Sequence, residues 1–146
     1  MDIVYSPHKF QKKFHLSRAR IRGAFAGKRG GKTEAGAVEA IIHAEEKRGY
    51  KHSSIDPYLG VVIAPTVSML RRLSLQKLKA YSGNMIIKHH ESFGEIDWHN
   101  GSKILAISAD NPNRLEGVKA SWIWLDEVFQ MDEQIFLESL ARVSDT

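Results

Sequence analysis

Apolar residues fall into two spacings along this chain. Short runs come first: Ile21 to Ala26, interrupted by Arg22, then Leu59-Gly60-Val61-Val62-Ile63-Ala64, and Ser121-Trp122-Ile123-Trp124-Leu125. Such runs, bounded by polar or turn residues, predict strands buried on both faces of a parallel sheet. Between them, apolar residues recur every three or four positions, which predicts helices. Glu34 to Arg48 carries Val38, Ile41 and Ile42 on one face, with Ala37, Ala40 and Ala44 for close packing and Gly49 as a stop. A second helix uses Leu70, Leu73, Leu78 and Tyr81 and ends near Gly83; a last one uses Ile135, Leu137, Leu140 and Ala141. Near the N-terminus, Ser6 then Pro7 reads as a helix cap and first helical residue, and Phe10 and Phe14 share a face.

Met85 to His89 reads as a short strand. Asn100-Gly101 separates two further strand-like segments, Glu95 to His99 and Ser102 to Ala106, and predicts a hairpin. Asp110 to Lys119 is a polar connection. Strands alternating with helices predict a three-layer α/β fold with a mainly parallel sheet.

Composition changes this picture little. A length of 146 residues predicts one domain, and 42% hydrophobic with 26% charged residues is ordinary for a globular fold. Apolar runs stay well below the ~18 residues of a membrane span, and no apolar core of signal-peptide length opens the chain. The absence of cysteine excludes disulfides and thiolate metal sites. Charge is uneven. Residues 1–51 hold 12 lysines and arginines against 5 acids, and residues 52–146 hold 9 against 12. The basic half suits a polyanion such as DNA, or simply a solvated face.

The candidate chemistry lies where the first and last apolar runs end. Ala26-Gly27-Lys28-Arg29-Gly30-Gly31-Lys32-Thr33 sits between a predicted strand and a predicted helix. Glycines there let backbone N–H groups approach an anion, and the helix N-terminus faces the same anion. Lys32 supplies charge for the outer phosphates of a nucleotide, and the Thr33 hydroxyl can ligate Mg²⁺. The usual phosphate-loop pattern has glycine where this chain has Ala26; alone, the segment also reads as a surface turn. Asp126-Glu127 follows the last apolar run, at the carboxyl end of a strand, where open α/β sheets bind ligands. Asp126 is placed to serve the Mg²⁺ shell and Glu127 to orient or deprotonate an attacking water. Together the two motifs predict an ATP-hydrolysing phosphate-loop domain.

Other residues support blander readings. Gln11 can pair with an adenine edge, which offers one donor and one acceptor, or be an ordinary exposed amide. Arg71, Arg72, Lys77 and Lys79 give their helix a basic face, for DNA phosphates or for solvent. His89 and His90 are adjacent on a strand and point to opposite faces, so they are poor joint metal ligands. Trp98, Trp122 and Trp124 read as packing residues.

From Tyr5 to about Arg142 the chain resembles the N-terminal ATPase domain of the large terminase subunit, the DNA-packaging motor of tailed bacteriophages. The resemblance rests on five pieces in order: Tyr5-x-Pro7-x-x-x-Gln11; the irregular, basic phosphate loop (Walker A); Ile63-Ala64-Pro65-Thr66; Asn100-Gly101-Ser102-x-Ile104 with Arg114-x-x-Gly117; and Leu125-Asp126-Glu127 (Walker B). It implies a P-loop NTPase fold of the ASCE type and ATP with Mg²⁺ as cofactors. It also implies roles. Gln11 contacts adenine. Gly27, Lys28, Arg29, Gly30, Gly31, Lys32 and Thr33 cradle the phosphates. Thr33 and Asp126 hold the metal, and Glu127 is the catalytic acid. Arg114 matches an arginine that reaches into a neighbouring subunit's site, where such a finger is worth ~10³-fold or more. The family's extra basic residue commonly lies four before the loop lysine, where this chain has Lys28, with Arg29 one place later; which of them, if either, senses phosphate is left open.

The implied partners are double-stranded DNA, further copies in a ring, a portal protein and a small terminase subunit, with no membrane, in the host cytoplasm. Residues 1–146 are then the N-terminal ATPase part. In this fold class the strand after the acid-tipped one inserts beside the phosphate-loop strand, and a nuclease domain comes later; the sequence contains neither. The expectation is a fragment of a longer protein with an unpaired sheet edge. The competing readings are a helicase-like ATPase of repair or restriction, and a nucleotide-binding fragment without turnover.

Overall fold

The computed structural model describes residues 5–24, 31–46 and 58–143. Five strands form one sheet: β1 (Leu59–Ala64), β2 (Ile86–His90), β3 (Glu95–Trp98), β4 (Lys103–Ser108) and β5 (Trp122–Leu125). Their order is β2-β3-β4-β1-β5. β1 pairs parallel with β4 on one side and β5 on the other, Val62 opposite Ala106 and Trp124. β3 pairs antiparallel with both β2 and β4, so it alone is reversed. The β3–β4 turn is the expected hairpin, with Gly101 at φ 88°.

Helices cover both faces of the sheet. Strand residues alternate between the faces, so β1 sends Val62 and Ala64 one way and Val61 and Ile63 the other. On the first face lie α2 (Lys32–Glu45) and α4 (Leu75–Ser82), whose Ile41, Ala44, Leu75 and Leu78 bury against Val62, Trp98, Ile104 and Trp122. On the second, α5 (Glu133–Arg142) sets Ile135 against Val61, Ile63, Ile107 and Leu115. This is the expected three-layer α/β architecture. The tryptophans pack as expected: Trp98 and Trp122 are buried, and Trp98 Nε1 donates to Glu45.

Several expectations need correction. The strand predicted over Ile21 to Ala26 does not form in its described part: residues 21–24 are irregular, and Ile21 is 60% exposed. A strand exists only within a hydrogen-bonded ladder, and among the described residues no strand offers this segment a partner. Residues 25 and 26 lie outside the described residues. The first helix, α1, spans Lys9–Leu16 and is capped by His8 rather than Ser6. His8 accepts from the Gln11 N–H through Nδ1, while its own N–H donates to Gln11 Oε1. Helix α2 begins two residues before Glu34, at Lys32, and its proposed stop at Lys47 to Gly49 lies outside the described residues.

Two helix faces also differ from prediction. Leu73 is exposed and Leu75 is buried in its stead. The cause is a π-helical turn, Leu70–Ser74, between a short α3 (Val67–Met69) and α4. One wide turn shifts the phase that a 3.6-residue repeat assumes. On α5 the buried positions are Ile135 and Ser139, while Leu137 and Leu140 stay half-exposed.

β5 borders the sheet, and its outer side meets a single parallel bridge, Ala120 to Val143. The Ala120 N–H donates to the Arg142 carbonyl at 2.9 Å. The chain leaving α5 thus meets the segment just before β5 at one point, while Trp122–Leu125 have no partner on that side among the described residues.

Candidate active site at the ends of α2 and β5

Gly27, Lys28, Arg29 and Gly30 lie outside the described residues. Gly31, Lys32 and Thr33 are described, and they form the turn into α2. Gly31 caps the helix at φ 73°, a left-handed conformation that glycine adopts without strain. A Cβ there would also meet Gln11 Nε2 at 2.3 Å. Lys32 and Thr33 open α2, so their backbone N–H groups belong to the unsatisfied first turn, the positive end of the helix dipole.

Asp126 arrives from the other side. Its N–H donates to the Ile63 carbonyl at 2.9 Å, extending the β1–β5 ladder by one residue. Asp126 is 5% exposed. Thr33 Oγ1 donates to Asp126 Oδ1 at 3.2 Å, and Ser74 Oγ donates to Oδ2 at 2.7 Å. Thr33 and Asp126, which the sequence reading assigned to one metal site, thus lie in contact although 93 positions separate them. What holds these elements together is glycine: a Cβ on Gly36 of α2 would lie 2.3 Å from Trp124 Nε1 of β5. The missing side chain lets the helix carrying Thr33 lie close against the strand carrying Asp126.

Burial raises the Asp126 carboxyl above the usual range, and the Glu127 charge adds to this. The Ser74 and Thr33 hydroxyls and the Glu127 N–H pull the other way without overcoming it. Among the described residues its side-chain partners are hydroxyls, and no cation pairs with it. A buried carboxylate flanked by a threonine hydroxyl, facing a helix N-terminus, is a hard oxygen donor set that fits Mg²⁺.

Glu127 stands apart in backbone conformation. At φ 55° and ψ 46° it is the sole non-glycine residue with positive φ among those described. Such strain persists where surrounding structure over-determines it, often at functional sites. Glu127 Oε2 accepts from Gln130 Nε2 at 3.3 Å.

Gln11 is nearly fully buried, at 2% exposure. Its Nε2 donates to the Gly31 carbonyl at 3.0 Å and its Oε1 accepts from His8. It therefore braces the entry to α2, and one amide hydrogen and one lone pair have no partner among the described residues. Arg114 lies elsewhere. Its guanidinium donates to the carbonyls of Ala106, at 3.1 Å, and Phe93. With Arg71, Lys79 and His89 it lines a cavity of about 370 Å³ beside β2–β4. Lys77, on the basic helix face, pairs with Glu34 at 3.2 Å. His90 bonds to Asp97 at 2.9 Å.

Sequence reasoning missed Ser74 and Gly36. A serine in an amphipathic helix carries no signal of its own, and a helical glycine signals close packing only once its neighbour is known. No helix among the described residues is long and apolar enough to cross a membrane.

Comparison with known proteins bears on the family and the fold. A family model described as terminase large subunit, T4likevirus-type, N-terminal, matches residues 24–144. The large terminase subunits of Thermus phage G20c and Thermus virus P23-45 are 26% and 25% identical over 93% of this chain. The chain spans 30% of the length of each. Among solved structures, the Thermus phage P74-26 large terminase ATPase domain has a TM-score of 0.71 at 23% identity, over 95% of this chain and 60% of that one. The large terminase of a second thermophilic bacteriophage, in complex with ADP, has a TM-score of 0.72 at 18% identity, over 94% of this chain and 36% of that one. The three-layer sheet is therefore the P-loop NTPase fold of those ATPase domains, and the chain belongs to the terminase large subunit family, in its T4likevirus-type N-terminal part.

Proposed function

We propose that this chain hydrolyses ATP to drive double-stranded DNA into a viral procapsid, as the N-terminal ATPase part of a large terminase subunit. The observation that carries the reading is the contact of Thr33 with the buried Asp126, at the N-terminus of a helix preceded by a glycine-rich basic segment. ATP phosphates lie against the N-terminus of α2, where Lys32 adds positive charge. Thr33 and Asp126 hold Mg²⁺, which when bound neutralises charge on the phosphates. Glu127 orients a water for in-line attack on the γ-phosphate and accepts its proton. Gln11 fixes the Gly31 carbonyl and turns its remaining amide hydrogen and lone pair to adenine.

Arg114, remote from Thr33 and Asp126 in its bonding, acts on the site of a neighbouring copy in a ring. The chain's family membership favours this reading over a helicase-like enzyme of repair. The large terminase of a thermophilic bacteriophage has been solved with ATP-γ-S, which supports a nucleoside triphosphate as ligand. The nuclease domain, the portal protein and small-subunit contacts, and the host-cytoplasm setting belong to the full-length protein under this proposal.

The test is ATPase rate against protein concentration for the parent, Glu127→Gln and Arg114→Ala, in the full-length subunit. A specific rate that climbs with concentration and falls at least ~10²-fold in both variants is expected. A rate independent of concentration and lost only in Glu127→Gln removes the role of Arg114. Full activity in Glu127→Gln removes the catalytic assignment.

A further inference from the structure

Ser74 is fully buried in the π-helical turn, and its hydroxyl donates to Asp126 Oδ2 at 2.7 Å, shorter than the Thr33 contact. The turn itself sets up this contact. The Leu75 N–H bonds back to the Leu70 carbonyl, one residue further than an α-helix allows. That wide turn brings Ser74 to the inner side and leaves Leu73 outside, 41% exposed. In a regular helix Leu73, three positions after the buried Leu70, would share its face. A hydrophobic residue is turned to solvent while a hydroxyl is turned to the one buried carboxylate of the site.

We infer that Ser74 is a positioning residue for the metal-binding carboxylate, a role that rests on the site reading given above. The Ser74 hydroxyl occupies Oδ2 and fixes the carboxyl plane. Thr33 Oγ1 is held more loosely, 3.2 Å from Oδ1 and 3.4 Å from Oδ2. A bound metal would be held by Thr33 and Asp126, with the Ser74 hydroxyl keeping the carboxylate in place. Outer hydrogen bonds of this kind orient metal ligands, and their loss lowers metal affinity about 10- to 100-fold. Ser74 does not touch nucleotide.

Ser82 supplies an internal control. It is equally buried on the continuing helix, and its hydroxyl bonds to the Leu78 carbonyl at 2.5 Å, away from the site. The experiment measures Mn²⁺ binding by electron paramagnetic resonance in the presence of ADP. It uses the full-length subunit and compares parent, Ser74→Ala, Ser74→Thr and Ser82→Ala, with ADP affinity in chelator alongside. Ser74→Ala is expected to weaken Mn²⁺ about 10-fold or more, with ADP affinity in chelator and the far-ultraviolet spectrum unchanged. Ser74→Thr, which keeps the hydroxyl, recovers most of the affinity, and Ser82→Ala matches the parent. Parent-like Mn²⁺ affinity in Ser74→Ala overturns the inference and leaves the site reading standing. An equal loss in Ser82→Ala reduces Ser74 to a general packing role and overturns it too. No Mn²⁺ binding in the parent overturns the site reading, and the inference with it.

Discussion

Glu39 offers a sharp test of how the N-terminal segment is fastened to the helix that carries the phosphate-loop residues. It lies on α2 with a side chain only 13% exposed. One oxygen meets His15 Nδ1 at 2.6 Å; the other meets Arg22 Nη1 at 2.6 Å and His43 Nε2 at 3.4 Å. Tyr5 closes the cluster, its hydroxyl 2.9 Å from His15 Nε2. Burial alone raises a carboxyl, but the His43 and His15 hydrogen bonds and the Arg22 guanidinium outweigh it and hold Glu39 at about 2 instead of 4.5. Linkage turns that depression into at most about 3 kcal/mol of stability. Water at the rim of the cluster screens it, which leaves about 1–2 kcal/mol. The native group is the stronger acid, so this stability is fully present above the unfolded value near 4.5 and is lost as pH falls towards 2. Urea unfolding followed by tryptophan fluorescence measures it. Glu39→Gln is expected to cost about 1–2 kcal/mol at pH 7. The gap to the parent should close as pH is lowered through this window. A gap that stays constant down to pH 3, or none at pH 7, would refute the reasoning.

Three further outcomes follow from the site. Glu127→Gly should raise stability by about 0.5–1 kcal/mol, since glycine tolerates the left-handed backbone, while hydrolysis is abolished; denaturant midpoints and steady-state ATPase assays read the two effects. Asp126→Asn should stabilise the nucleotide-free protein, and with the opposite pH sign to Glu39. The raised carboxyl binds its proton more tightly in the native state, so the charged form costs stability as pH rises through the carboxylate range. Paired melts at pH 7 and pH 3 check that the advantage is present at the first and gone at the second. Gly36→Ala should cost about 1–3 kcal/mol by overpacking, and should weaken metal binding by pushing α2 off Trp124; unfolding curves and Mn²⁺ titration test both, and a neutral result would mean the indole simply moves aside.

Much of the chemistry was legible from residue order. Asp126-Glu127 after an apolar run, and Gly31-Lys32-Thr33 before a helical repeat, could be placed at the end of a strand and the start of a helix because only backbone turning and strand polarity are needed to put such groups there. β1 was legible to both of its ends for the same reason: six apolar residues closed by Pro65 leave no other reading. The Ile21 strand was not, because a strand is a property of its neighbours, and no apolar run states whether a neighbour is present.

What the sequence by itself determined is therefore local: element types, turn positions, and the identity of the charged and hydroxyl groups that end strands and begin helices. These follow from periodicity and backbone preference within a few residues. Only the tertiary structure decided that Ser74 faces Asp126, that Gln11 spans His8 and Gly31, that Glu127 sits in a left-handed backbone, and that Arg114 lies on the carbonyls of Phe93 and Ala106. Each depends on a contact between segments far apart in the chain, or on a single wide helical turn that shifts the phase of everything after it. Local propensities are indifferent to both, because the energy that selects them arises only when the elements pack.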